Sequence, residues 1–386
     1  PPAPDMNRPK ILFVVSEDWY FLSHRLALAR AIRDAGCQVA VAAAQGDRVR
    51  EIMDEDFSFH PIRMQRGSLN PWKEYTAYRD LKRLFKELKP DLAHLVAIKP
   101  ILYGGVAAKR TGVNGVVCAV AGVGYVFYPG HFTRTLLRRF VELTYRLHLR
   151  GRQGVRFILQ NPDDKALFLD RALAREDQIR IIVGNGIDTN RLSPSPEPEG
   201  KVTVFMHSRM LWDKGVGDLA EASRLLKAQG QDLDVVLAGD PDPSNPASVP
   251  ADTLEQWSRE GLVTWLGRKA DIPGLMAKAH IACLPSYREG APQSLMEAAA
   301  CGKPIVTTDV PGCREIVHHE ENGLLVPARD SLALASALAR LAQDPKLRSH
   351  MGAKSRQLAE QMFSREVVIA QSIEIYKELL GDIWPG

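Results

Sequence analysis

The chain has 386 residues, 45% of them hydrophobic and 25% charged, with a net charge of +4. That composition excludes a disordered or fibrous polypeptide, and the length exceeds the roughly 250 to 300 residues at which a single core stops growing, so two domains are expected. Charge is unevenly spread: residues 1–190 carry 29 Lys and Arg against 20 Asp and Glu, and residues 191–386 carry 21 against 26, net +9 and −5. A basic half leaves three partner classes open, namely nucleic acid, an anionic membrane and an anionic substrate.

The first elements in chain order are an apolar run at 11–15, a helical pattern over 22–35 that ends at Gly36, and a second apolar run at 39–44. This is strand, helix, strand, with a glycine at the helix exit. Further buried strands are predicted at 91–96, 115–121 and 156–159, with a basic helix around 136–149. The uncharged run 112–130 is long enough to span a membrane, yet its five glycines, Asn114 and Pro129 fit strand, loop and strand better. The Pro/Ser/Glu-rich stretch 193–200 has the composition of an exposed linker. Beyond it the pattern restarts, with strands predicted at 202–207, 234–238, 263–266, 281–284, 304–307 and 323–326, and helices at 218–228, 332–342 and 365–380. Alternation of this kind implies an α/β fold of two doubly wound, Rossmann-like domains that bind ligand in a cleft between them. The expected division is 1–195, 196–365, and a terminal helix, 366–386, packing back on the first domain.

Five cysteines (Cys37, Cys118, Cys283, Cys301, Cys313) form no Cys-x-x-Cys pair, which argues against disulfides and zinc and for buried thiols in a reducing compartment. No charged-then-apolar leader opens the sequence, so a cytoplasmic location is expected.

Four short segments carry candidate chemistry. Arg209, just after the strand at 202–207, and Lys214, five residues on, can neutralise one pyrophosphate, or they are two solvated charges in a loop. In Ser286-Tyr-Arg-Glu-Gly-Ala-Pro-Gln-Ser-Leu-Met-Glu297, Gly290 and Ala291 form a turn and Pro292 suits a first helical position. Gln293 and Ser294 then offer free amides, a phosphate site. Glu297, eight residues after Glu289, can accept hydrogen bonds from a ribose diol. The third segment, 265–271, can bring the Arg268 backbone against a base; the fourth, Val183-Gly-Asn-Gly-Ile-Asp188, is a turn with either a conformational or a functional role.

Together these motifs, with Asn322-Gly-Leu-Leu-Val-Pro327, resemble the retaining glycosyltransferases of family 4, whose two-Rossmann arrangement is called GT-B. The resemblance implies that Arg209 and Lys214 stabilise a departing diphosphate, that Glu289 contacts the donor sugar, and that Glu297 holds the ribose. Phe21-Leu-Ser-His-Arg25, Lys99-Pro100, residues 121–127 and Gln160-Asn-Pro-Asp-Asp164 look like the branch that extends polyprenyl-diphosphate-linked sugars with a UDP-sugar donor. The implied partners are a UDP-sugar as co-substrate and a polyprenyl-diphosphate-linked acceptor, with no cofactor and no metal. Tyr20, Phe21, His24, Lys99 and Tyr125 become acceptor-binding candidates, with core or loop packing the alternative for Tyr20 and Phe21, and His24, His94 and His131 candidate proton carriers, with a structural role the alternative. The family's glycine pair in the first loop is replaced here by residues 16–24, so Gly122 and Gly124 are candidates for the phosphate contact.

The arginine-rich helix fits either an anionic membrane surface on the inner face of the cytoplasmic membrane or an ordinary solvated face. No nucleic-acid motif accompanies the arginines, so nucleic acid is not expected. Two rivals share the two-lobed architecture: a UDP-sugar epimerase or soluble sugar synthase, and a non-catalytic nucleotide-binding protein.

Overall fold

The computed structural model describes residues 8–65, 67–68, 70–120, 122 and 132–385. The chain divides into two compact units, the first made of residues 1–185 and 368–386 and the second of 186–367.

In the first unit the strands are β1 (Lys10–Glu17), β2 (Gln38–Ala44), β3 (Ser58–Pro61), β4 (Leu92–Val96), β5 (Gly115–Ala119), β6 (Val155–Leu159) and β7 (Ile179–Ile181). The described residues build one sheet in the order β3-β2-β1-β4-β5-β6-β7, and its pairings are parallel. The helices are α1 (Asp18–His24), α2 (Leu26–Asp34), α3 (Val49–Met53), α4 (Pro71–Leu88), α5 (Ile98–Thr111), α6 (Phe132–His148) and α7 (Pro162–Asp170).

Alternation along β1 shows why both sheet faces need cover. Leu12 and Val14 join the cluster under α4, α5 and α6, whereas Ile11, Phe13 and Val15 join the cluster under α1 and α2. Successive strand residues point to opposite faces, so an unbroken apolar run demands helices on both.

The second unit repeats the plan with β8 (Val202–His207), β9 (Leu233–Ala238), β10 (Thr264–Trp265), β11 (Ile281–Leu284), β12 (Ile305–Thr308) and β13 (Gly323–Val326). Their order is β10-β9-β8-β11-β12-β13, again with parallel pairings. Its helices are α8 (Val216–Ala228), α9 (Ala251–Arg259), α10 (Ile272–Ala277), α11 (Gln293–Ala300), α12 (Ser331–Gln343) and α13 (Pro345–Leu358); α14 (Arg365–Leu380) follows.

Two expectations need correction. The division falls after Asn185, not at 195, because the following segment is bonded into the second unit: Ile187 N donates to Phe363 O (2.9 Å) and Arg365 N to Ile187 O (2.8 Å). The stretch read as a linker is likewise fastened there, with Glu197 accepting from the buried Arg348 at 3.0 Å. The helix predicted over 22–35 is two helices, since Arg25 departs from helical geometry at φ −128° and ψ −13°. From Val368 onward α14 belongs to the first unit, where Tyr376 is fully buried beside His94 and Glu378 pairs with Arg180 at 3.0 Å.

Candidate functional site

In the second sheet the chain leaves β8 for β9 on one side and β11 for β12 on the other. Loops that diverge from adjacent parallel strands leave a crevice at their carboxyl ends, where doubly wound sheets bind ligands. The segments 208–215 and 285–297 start from those two ends, so the fold itself brings together motifs some 75 residues apart.

The loop after β8 stays tied to β9, with Ser208 N donating to Ala238 O (3.1 Å) and Met210 N to Asp240 O (2.9 Å). Arg209 extends into solvent, 55% exposed, and donates through Nη1 to Asp242 Oδ2 at 2.8 Å. The Ser244 hydroxyl and the Arg209 guanidinium hold Asp242 below the usual carboxylate range. A single 3-10 turn, Trp212–Lys214, closes at Gly215 with φ +72°. A Cβ there would lie 2.0 Å from the Pro285 carbonyl oxygen, so only glycine lets the two loops approach this closely.

Hydrogen bonds stitch the loops together: Tyr287 N donates to Asp213 O at 2.8 Å and Ser286 Oγ to the same oxygen at 3.2 Å. The Glu289 amide is anchored on Pro311 O at 3.2 Å. The result is an ion pair between Lys214 Nζ and Glu289 Oε1, with side chains only 19% and 11% exposed. A screened pair this enclosed interacts more strongly than a surface pair, and removing either partner strands the other.

Helix α11 begins at Gln293, with Pro292 as its N-cap and not its first residue. Leu295 N and Met296 N both donate to Pro292 O. Among the described residues no bond takes the Gln293 or Ser294 amide, and the helix dipole adds positive potential there. Gly290 and Ala291 lie in the turn before that start. Glu297 sits one turn in, its Oε1 accepting from Gln293 Nε2 at 2.8 Å and its Oε2 3.7 Å from His207 Nδ1. Arg268 contributes differently from expectation: its amide donates to Asp240 Oδ1 at 2.9 Å and so is not available to a base.

Three residues of this rim escaped the motif reading: His207, Asp240 and Asp242. Each lies at or just beyond the carboxyl end of β8 or β9, and attention to strand ends instead of charge pairs would have found them.

The acceptor candidates in the first unit are scattered in role. Phe21 is fully buried and packs edge-on against Phe13 and Phe57, so it is a core residue and not a contact for ligand. Tyr20 and His24 stack at 4.3 Å; burial, then the charge of Arg25, push the His24 pKa down to about 4. Lys99 Nζ is taken up by Gln65 O, Ser68 O and Glu74 Oε1 at 2.7, 2.6 and 2.8 Å, which pins the loop before α4. The Gly122 amide donates to Val120 O at 2.9 Å and is likewise engaged. Gly124, Tyr125 and His131 lie outside the described residues. His94 is buried inside β4, its Nδ1 bonded to the Tyr376 hydroxyl.

Helix α6 separates its residues sharply. Val141 and Tyr145, with Leu149 just beyond the helix end, face the core, while Leu136, Phe140, Leu143 and Leu147 are 60, 55, 52 and 58% exposed, an apolar stripe at helical spacing. Its charge is smaller than the composition implies, because Arg138, Arg146 and Arg171 converge on the buried Glu142. Arg139 and Arg150 remain exposed with no ion pair among the described residues. No helix among the described residues is long and apolar enough to cross a membrane.

Comparison with known proteins follows the same division. The family described as Glycosyl transferase 4-like matches residues 10–157, and Glycosyl transferases group 1 matches residues 188–358. The N,N'-diacetylbacillosaminyl-diphospho-undecaprenol alpha-1,3-N-acetylgalactosaminyltransferase of Campylobacter jejuni is 28% identical over 384 residues, covering 94% of this chain and 99% of that one. The UDP-Gal:alpha-D-GlcNAc-diphosphoundecaprenol alpha-1,3-galactosyltransferase of Escherichia coli is 26% identical, over 71% of this chain and 72% of its own. Among solved structures, Anabaena HepE in complex with UDP superposes with a TM-score of 0.78 at 22% identity, covering 96% of this chain and all of that one. The fold is that of the GT-B glycosyltransferases.

Proposed function

Because the chain belongs to the glycosyltransferases, 4-like in its first part and group 1 in its second, we propose that it transfers a sugar from a UDP-sugar to a polyprenyl-diphosphate-linked saccharide, with retention and without a metal ion. The observation that carries this reading is the Lys214–Glu289 pair, the α11 start and Glu297 at the carboxyl ends of β8 and β11, with Arg209 beside them on the exposed rim, held by Asp242. The two diphospho-undecaprenol relatives and the UDP-bound neighbour support the substrate classes.

In the proposed reaction the bond between the sugar's anomeric carbon and the diphosphate breaks, and negative charge grows on the leaving oxygens. Positive groups already fixed in place lower that barrier without reorganising. Lys214 is the group so fixed, held by Glu289, whereas Arg209, parked on Asp242, must first swing from one anion to another. The α11 amides take further phosphate oxygens. Glu297, oriented by Gln293, accepts from the ribose hydroxyls. Glu289 positions the donor sugar through the oxygen not committed to Lys214. The acceptor hydroxyl attacks from the face the diphosphate leaves, and its proton passes to a diphosphate oxygen, so the products are the extended saccharide and UDP.

The reading extends to location: the exposed stripe of α6, flanked by Arg139 and Arg150, suits peripheral attachment to an anionic membrane surface. The test of the reaction is turnover of UDP-sugars with short polyprenyl-diphosphate sugars. Arg209→Ala and Lys214→Ala should each lower kcat about 10²- to 10³-fold; near wild-type turnover in either would overturn the diphosphate role. Incubation with a UDP-sugar and no acceptor separates transfer from epimerisation.

A further inference from the structure

Arg25 stands at the junction of α1 and α2, only 8% exposed, and among the described residues no carboxylate meets its guanidinium. Its Nη1 donates to Asn185 Oδ1 at 2.5 Å and to His24 O at 3.1 Å, both neutral acceptors. A guanidinium taken out of water without a counter-charge is costly, and proteins keep one where something anionic visits. Its Nε is buried and without a hydrogen-bond partner.

Beside it, His94 is 1% exposed and its Nε2 is also buried without a partner. Nδ1 of the same ring bonds the Tyr376 hydroxyl. Burial holds that hydroxyl protonated, and burial together with the Arg25 charge keeps His94 neutral. With no other partner among the described residues, the hydroxyl donates to Nδ1, and the imidazole proton then sits on Nε2. Both residues line a half-open recess of about 20 Å³, along with Val120, Gln160, Gly184 and Asn185. That volume admits a single oxygen atom. The recess lies by the carboxyl ends of β5 and β6, the ligand-facing edge of the first sheet.

We propose that Arg25 and His94 form an oxyanion subsite that receives one phosphoryl oxygen of the acceptor's diphosphate. Two N–H donors without a protein partner and an uncompensated positive charge border a space of one oxygen, and that charge favours a phosphoryl oxygen over a water. This assignment rests on the reaction proposed above, whereas the existence of the anion site does not.

Pyrophosphate titrated by calorimetry into an Arg209→Ala/Lys214→Ala double variant reads the site with the donor-side cations removed. Binding should persist there and weaken about tenfold or more when Arg25→Gln is added. Equal affinity with and without Arg25, or no binding at all in the double variant, overturns the site. If Arg25→Gln fails to fold, Arg25→Lys, which keeps the charge but lacks Nε, carries the same comparison. In turnover, Arg25→Lys should raise the acceptor KM about ten- to hundredfold and leave the donor KM unchanged. A rise in the donor KM instead refutes the acceptor assignment, and absence of turnover in the wild type refutes the proposed reaction while the pyrophosphate result still stands.

Discussion

Replacing Gly215 by alanine tests whether the contact between the two loops is what places Lys214. Alanine at φ +72° pays the left-handed strain of about 1–2 kcal/mol, part of which is offset by about 0.4–1 kcal/mol from a less flexible unfolded chain. Gly230 supplies the control, because its φ is +73° and a Cβ there would meet nothing within 4 Å. At Gly215 the new Cβ would sit 2.0 Å from the Pro285 carbonyl oxygen, whereas ordinary contact starts at 3.4 Å, so one loop must retreat by more than an ångström. Such overpacking adds about 1–3 kcal/mol to the loss of stability. A displacement of that size at a charged group that must meet a transition state costs about a hundredfold in rate.

Urea unfolding followed by tryptophan fluorescence reads both units, with Trp212, Trp257 and Trp265 in the second and Trp19, Trp72 and Trp384 in the first, so each variant is read as a difference from the wild-type curve. Gly230→Ala should lose about 1 kcal/mol or less and keep wild-type turnover. Gly215→Ala should unfold at lower urea than Gly230→Ala and turn over about a hundredfold more slowly. If the two variants match in both measurements, the loop contact does not position Lys214 and the reasoning is wrong.

Other outcomes follow from the same geometry. Glu297→Ala should raise the donor KM about tenfold or more; a donor lacking the ribose hydroxyls should lose the same in the wild type and nothing further in the variant, and additive losses would refute the ribose contact. His24, with a folded pKa near 4 against about 6.5 unfolded, binds fewer protons when folded between those values, so stability falls as pH drops from 6.5 to 4. The full effect is at most about 3 kcal/mol, and His24→Gln should flatten the unfolding midpoint over that window; an unchanged slope counts against it. Replacing Leu136, Phe140, Leu143 and Leu147 by serine removes apolar area that no core contact uses. Flotation with anionic liposomes should be lost while the urea midpoint holds, and undiminished flotation would place the membrane contact elsewhere.

Most of the sheet was legible because buried parallel strands read as unbroken apolar runs, and β8, β11 and β13 fall where the pattern put them. The two missed strands, β3 and β7, sit at the two ends of the first sheet. At an edge only one side is hydrogen-bonded, so Ser58–Pro61 can be half polar and end in proline, and Ile179–Ile181 can be three residues long. The break at Arg25 was hidden because the apolar spacing continues across it; what ends α1 is a buried guanidinium, a tertiary demand that local propensity does not record. Within the candidate site the charged pairs could be named from spacing, but not who holds whom. Glu289 meets Lys214 and not Arg209, since Asp242, one strand over, holds the arginine. Phe21 stays ambiguous in sequence, because an aromatic beside a loop looks alike whether it packs inward or outward, and its burial against Phe13 and Phe57 decides for the core.

The share of α14 that belongs to the first unit sets an order of assembly. Residues 1–185, made before 186–386, lack the helix that carries Tyr376 and Leu380 into the cluster with Ile11, Phe13 and Ile32. During synthesis that face of the sheet must wait, uncovered, while the entire second unit emerges. The second unit, contiguous in sequence, can finish before the first. Removing residues 368–386 would leave an apolar face open on residues 1–185, and the failure would show as aggregation.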